Sequence, residues 1–183
     1  MRRLSAILVF AVGATAPMWL ANAPTTDAGA PPPAADPKDV RSIDAIIKAT
    51  YASMSGVAGE KRDWDRFRSL FHPEGRLAPV VQRRDGKARP AITTPGAFAK
   101  RNGPMFTKVG FSEKEVARRT ERFRHLAHVW STYEARRADQ PDVVWATGLN
   151  SFQLVFDSQR WWILHLTWTP ADKNNPVPDK YRK

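Results

Sequence analysis

The sequence predicts an α+β domain in which helices come first and long antiparallel strands follow. Three observations predict it. Val40, Ile43, Ile46, Ile47, Tyr51 and Met54 recur at three- and four-residue steps, the period of an amphipathic helix. Ala127, Val129, Ser131 and Tyr133 alternate with the period of a strand. Val143 to Phe156 and Arg160 to Thr169 are rich in Val, Trp, Phe, Ile and Thr and flank a tight turn at residues 157–159.

The elements follow in order. Arg2 and Arg3 precede a largely apolar run from Leu4 to Leu20, and Ala21-Asn22-Ala23 supplies a small-x-small cut pattern. Residues 1–23 are therefore expected to be a signal peptide, which makes the protein exported, periplasmic or secreted. Pro24 follows that cut directly, which leaves cleavage a few residues later, near Ala28, as one alternative; an uncleaved anchor is the other. Residues 24–38, rich in Pro and Ala, read as a disordered spacer. A helix from near Asp39 ends at Gly56 and Gly59, and Asp63 is placed to cap a second, with Trp64, Phe67, Leu70 and Phe71 on its apolar side. His72-Pro73 closes that helix, because a residue before proline avoids the helical region. Leu77 to Gln82 and Ala88 to Thr93 flank Asp85-Gly86, a hairpin-turn pair. Thr94-Pro95 opens a third, short helix, expected to stop at Gly103-Pro104. Ser112 to Arg124 has two readings: a capping box with good helix formers, or a strand continued by the alternation beyond it. Residues 171–183 are expected to form a flexible tail.

Composition limits the function classes. With 183 residues and 42% hydrophobic residues, the chain has material for one domain plus tails. Without its first 23 residues, which hold Arg2 and Arg3 and no acid, it keeps a net charge of +9. That balance reads as a basic, solvated surface. The arginines at 118, 119, 122 and 124 would be split by strand alternation and diluted by Glu113, Glu115 and Glu121, so no nucleic-acid partner is expected. The absence of cysteine excludes disulfides, thiol catalysis and thiolate metal sites. No apolar run of about 20 residues follows the leader, so no membrane span is expected after its removal.

Asp63-Trp64-x-x-Phe67-x-x-Leu70-Phe71-His72-Pro73-x-Gly75-x-Leu77 resembles the helix-to-strand passage of the nuclear-transport-factor-2-like (SnoaL-like) superfamily. The stretches 127–134, 148–154 and 160–163 resemble its later strands, so that the likeness covers residues 39–170. It implies a cone, a strongly bent antiparallel sheet wrapped around the N-terminal helices (a cystatin-like roll), with a pocket at the open end. It also implies that Ser112 to Arg124 is a strand. The superfamily holds isomerases, dehydratases, cyclases and binding modules, so the fold does not name a function. Measured against its ketosteroid isomerases, Tyr51 matches the pocket tyrosine and Trp168 the pocket tryptophan, whereas Ala78 and Phe152 stand where the two carboxyl groups would be.

These readings converge on an aromatic-lined pocket for a small, largely apolar molecule. Strand parity sets Trp162, Leu164, Leu166 and Trp168 on one wall, Asn150, Phe152 and Leu154 on a second, and Val129, Ser131 and Tyr133 on a third. Tyr51, Ser131, Tyr133 and Asn150 are its expected polar groups. The leading expectation is a binding module, with a homodimer through the outer sheet face. An isomerase, dehydratase or cyclase using Tyr51 with His125, which shares parity with Val129, is the alternative. A non-catalytic interaction protein with a filled cone is the third. No metal or cofactor is expected, since His125-x-x-His128 would point its rings to opposite faces.

Overall fold

The computed structural model describes residues 31–82 and 85–183; the expected signal peptide at 1–23 lies outside them. Helix α1 (Pro37–Val40) and helix α2 (Ile43–Met54) replace the single first helix expected from Asp39. The chain breaks between them because the Ser42 hydroxyl accepts the Ala45 amide N–H at 3.1 Å, starting a new helix. Ala35 already packs against the core, so order begins before the expected boundary at residue 39. Helix α3 (Trp64–Ser69) starts where Asp63 accepts the Arg66 amide N–H at 2.9 Å. Arg66 in turn holds the buried Asp39 with two hydrogen bonds of 2.6 and 2.9 Å, fastening α3 to α1.

Strand β1 (Phe71–Gln82) begins sooner than expected and runs through Pro73. Its register slips between Phe71 and Arg76, and Gly75 sits in the slip. A Cβ there would lie 2.8 Å from the His72 carbonyl oxygen and 2.9 Å from that of Ile163, so the close approach needs glycine. Strand β2 (Ala88–Pro90) pairs back on β1 across the Asp85-Gly86 turn. Helix α4 (Pro95–Val109) is capped by Thr94 as expected, but it does not stop at Gly103-Pro104. Pro104 faces solvent, where a break in the helix hydrogen bonding stays in contact with water.

Strands β3 (Phe111–Phe123), β4 (Leu126–Arg137), β5 (Ala146–Phe156) and β6 (Trp161–Pro170) form an antiparallel meander. The strand reading of residues 112–124 therefore holds, against their local helix preference. The full sheet runs β2-β1-β6-β5-β4-β3, curled and unclosed. It is antiparallel except where β1 runs parallel to β6; the two are distant in sequence, so no tight turn dictates their direction. The curl encloses a core of Ile46, Ile47, Phe67, Leu70, Phe71, Val129, Phe152 and Ile163, all essentially without solvent contact.

Residues 171–183, expected to be a flexible tail, lie instead on the outer sheet face. Val177 is buried, the Tyr181 ring sits 5.2 Å from that of Trp130, and Thr132 donates its hydroxyl proton to the Tyr181 carbonyl. Two apolar side chains and one backbone contact hold a segment whose prolines suggested fraying. Among the described residues no helix is long and apolar enough to cross a membrane.

Candidate functional site

The inner surface of the cone is set by strand parity and by two bulges. On β4, Ala127, Val129, Ser131, Tyr133 and Ala135 point inward and are buried. On β5, Gly148, Asn150, Phe152 and Leu154 do the same. Both walls match expectation. On β6 the parity breaks: Gln153 pairs with His165 but Leu154 with Ile163, leaving Leu164 as an extra residue. Trp161 and Ile163 therefore face in ahead of the bulge, and Leu166 and Trp168 after it. Leu164, expected in the pocket, is 36% exposed on the outside. The second bulge is on β3, where Val116 is the extra residue between Glu115 and Ala117.

A cavity of about 270 Å³ opens inside the cone. Tyr51, Tyr133, Asn150, Phe152 and Trp168 line it as expected, together with Phe98, Phe106, Phe111 and Trp145, which sequence reasoning did not place there. Phe106 and Phe111 stack face to face at 4.5 Å. Val129 and Ser131 lie behind the lining, without solvent contact. His125 is not in the pocket. It sits in the β3–β4 turn, exposed, donating from Nδ1 to the Phe156 carbonyl oxygen at 3.1 Å and stacking on the Phe156 ring. Its parity with Val129 is lost because Arg124 takes a left-handed φ of 50° to make the turn. Among the described residues no cluster of three or more His, Asp or Glu side chains is placed to hold a metal ion.

One group in the cavity was missed. Glu113, on the inward face of β3, lines it with its carboxyl group. Its backbone is pinned to the end of α2 by Ser55, whose hydroxyl accepts the Glu113 amide N–H at 3.0 Å. Burial among apolar groups raises its pKa from 4.5 to about 7, opposed by one hydrogen bond from Asn150 Nδ2 at 3.3 Å. Among the described residues no lysine, arginine or histidine lines the cavity. In the sequence Glu113 sits among alternating charges and reads as part of a solvated face. Its one inward signal is its spacing of two from Phe111.

A chain of hydrogen bonds runs from this carboxyl into the sheet. Asn150 Nδ2 also donates to the Tyr51 hydroxyl oxygen at 2.9 Å. The Tyr51 and Ser131 hydroxyls are 2.6 Å apart, and Ser131 donates to Glu115 Oε1 at 2.6 Å. Arg118 grips Glu115 with two hydrogen bonds of 2.8 and 2.6 Å and also pairs with Asp44. Burial and the nearby Glu113 push the Tyr51 and Tyr133 phenols well above their ordinary value, so both keep their protons. The Tyr133 hydroxyl makes no hydrogen bond among the described residues. Gly148 makes room for it, since a Cβ there would lie 2.5 Å from the Tyr133 oxygen. The cavity thus offers a carboxyl that titrates near neutrality and a free phenol donor, within a wall that is largely apolar.

No protein-family model and no curated protein matches this sequence. Solved structures do match in fold. A Nostoc punctiforme protein of unknown function with a cystatin-like fold shares 12% identity at a TM-score of 0.55, covering 74% of this chain and 92% of its own. An uncharacterized Caulobacter vibrioides protein with a cystatin-like fold shares 16% identity at a TM-score of 0.52, covering 73% and 90%. A Novosphingobium aromaticivorans protein, provisionally described as a scytalone dehydratase, shares 13% identity at a TM-score of 0.54, covering 72% and 83%. With helices packed inside a curled sheet, and with these structural neighbours, the chain has a cystatin-like fold.

Proposed function

We propose that the cone binds a small, largely apolar molecule and transfers a proton to or from it through Glu113. The observation that carries this reading is the carboxyl group of Glu113 in a largely apolar cavity, with no cation beside it among the described residues and a pKa near 7. A group so poised is present in both protonation states at neutral pH, the condition for general acid–base catalysis. Its ionised form takes a proton from the bound molecule and its protonated form returns one. The Tyr133 hydroxyl supplies a hydrogen bond to a carbonyl or hydroxyl oxygen of that molecule. This favours the enzyme reading over the binding module, with Glu113 and Tyr133 in the roles assigned by sequence to His125 and Tyr51. The cavity itself argues against a filled cone.

Nitrobenzisoxazole tests the proposal. It is neutral, aromatic and small enough for the cavity. When a base takes its ring C–H proton, its N–O bond breaks and a coloured phenolate forms. The wild-type protein should open the ring faster than the buffer does, with a rate that rises through about pH 7 as Glu113 ionises, and Glu113→Gln should abolish the gain. Equal rates for wild type and variant would overturn the reading.

Export is proposed from residues 1–23, and the intact mass of the exported product tests it: a chain still starting at Met1 would refute cleavage. A homodimer through the outer sheet face is also proposed. The C-terminal segment covers part of that face, so residues 171–183 would belong to the interface or be displaced from it. Light scattering on the full chain and on a chain ending at Pro170 distinguishes the two.

A further inference from the structure

The direction of each hydrogen bond in the chain behind the cavity is settled at its outer end. Glu115 is held as an anion by the two-pronged grip of Arg118, so its oxygens only accept. The single proton of Ser131 must then point to Glu115. The Ser131 oxygen is left to accept, so the Tyr51 proton points to Ser131 and away from the cavity. The Tyr51 oxygen accepts in its turn, which requires Asn150 to present its NH₂ and not its carbonyl oxygen. The same nitrogen then faces Glu113 Oε1 and donates to it. Each step follows from a count of protons and lone pairs.

We propose that the Arg118–Glu115 ion pair is the positioning element of this site, forcing Asn150 to be a hydrogen-bond donor to Glu113. Arg118 and Glu115 touch neither the cavity nor Glu113; they act through Ser131, Tyr51 and Asn150. The consequence is twofold. The ionised, proton-accepting form of Glu113 is favoured over the protonated one. When Glu113 is protonated, its proton belongs on Oε2, the oxygen that Asn150 does not reach. Without the ion pair the chain can reverse: Tyr51 donates to the Asn150 carbonyl oxygen, which now also accepts from protonated Glu113. The groups with charge or protons facing Glu113 are Tyr51 from α2, Tyr133 from β4 and Asn150 from β5, with Glu115 further along β3.

The inference rests on Glu113 as the proton-transfer group, but its test does not use turnover. The Glu113 carboxyl carbon is titrated by ¹³C NMR in the ligand-free protein, its signal assigned by its loss in Glu113→Gln. Ser131→Ala cuts the chain without changing any charge and frees Tyr51 to turn. It should raise the Glu113 midpoint, strengthening proton affinity by about three- to tenfold. Glu115→Met, which leaves Ser131 no acceptor at this position, should move it the same way. That direction discriminates, because removing a negative charge while Arg118 stays would by simple electrostatics lower the midpoint. Glu115→Met keeps the side-chain length and carries the test if Ser131→Ala fails to fold. An unchanged or lowered midpoint in the folded variant overturns the positioning role and leaves the ring-opening test of Glu113 standing. A wild-type midpoint near 4.5 would overturn the acid–base reading itself.

Discussion

Keeping an acid in an apolar cavity has a thermodynamic consequence that is measurable without knowing the ligand. In the unfolded chain the Glu113 carboxyl titrates near 4.5, and in the folded protein near 7. Below the first value it is protonated in both states and adds no pH dependence. Between the two values the folded state holds a proton that the unfolded state has released, so stability falls as pH rises. Above about 7 the carboxyl is ionised in both states and the full cost of its burial is present. At about 1.4 kcal/mol for each tenfold change in proton affinity, the fall is about 3 kcal/mol, an upper value because the carboxyl borders a cavity that water can enter. Glu113→Gln replaces the carboxyl by a neutral group of the same shape and should abolish this fall. Urea unfolding of both proteins at intervals from about pH 4 to about pH 8.5 gives the difference directly, and other titrating groups cancel in it. The variant should gain on the wild type across the interval, by about 2–3 kcal/mol at its alkaline end. If the two stability curves run parallel, Glu113 is not a desolvated acid and the acid–base reading of the cavity loses its basis.

Other variants separate the parts of the site. Tyr51→Phe removes a hydroxyl bonded on both sides and leaves the Asn150 and Ser131 groups short of a partner; it should cost about 1–3 kcal/mol in denaturant unfolding, where a hydroxyl facing only the cavity would cost almost nothing. His125→Ala should leave ring opening of nitrobenzisoxazole unchanged, since its ring lies in the exposed turn between β3 and β4; a lost rate would restore His125 as a candidate catalytic residue. Leu166→Ala should cost about 2–5 kcal/mol and Leu164→Ala less than about 1 kcal/mol, because the bulge sends only the first into the core; equal costs would contradict the bulge.

How much of this was legible in the sequence depends on whether a residue's fate was local. Asp63 and Thr94 could be read as helix caps because a cap needs only the next three residues. The walls of β4 and β5 followed from alternation, which holds wherever a strand pairs without interruption. Leu164 failed because a bulge is a property of two strands, and the partner's register is not written near Leu164. His125 failed in the same way: parity was carried one residue too far, into a turn whose left-handed step ends it. Residues 112–123 show the opposite conflict. Their capping box and helix formers favour a helix, yet pairing with β4 along the whole strand outweighs that preference. Glu113 was hidden by this conflict. As a helix residue it would be one more solvated charge, and only as a strand residue in register with Ala135 does it enter the cone. Ala78 and Phe152 stand where the resemblance to isomerases would put carboxyl groups; the cavity takes its carboxyl from a different strand position. A site defined by where burial places an ionisable group cannot be recognised until the register that buries it is known, and at Glu113 that register and the proposed chemistry stand or fall together.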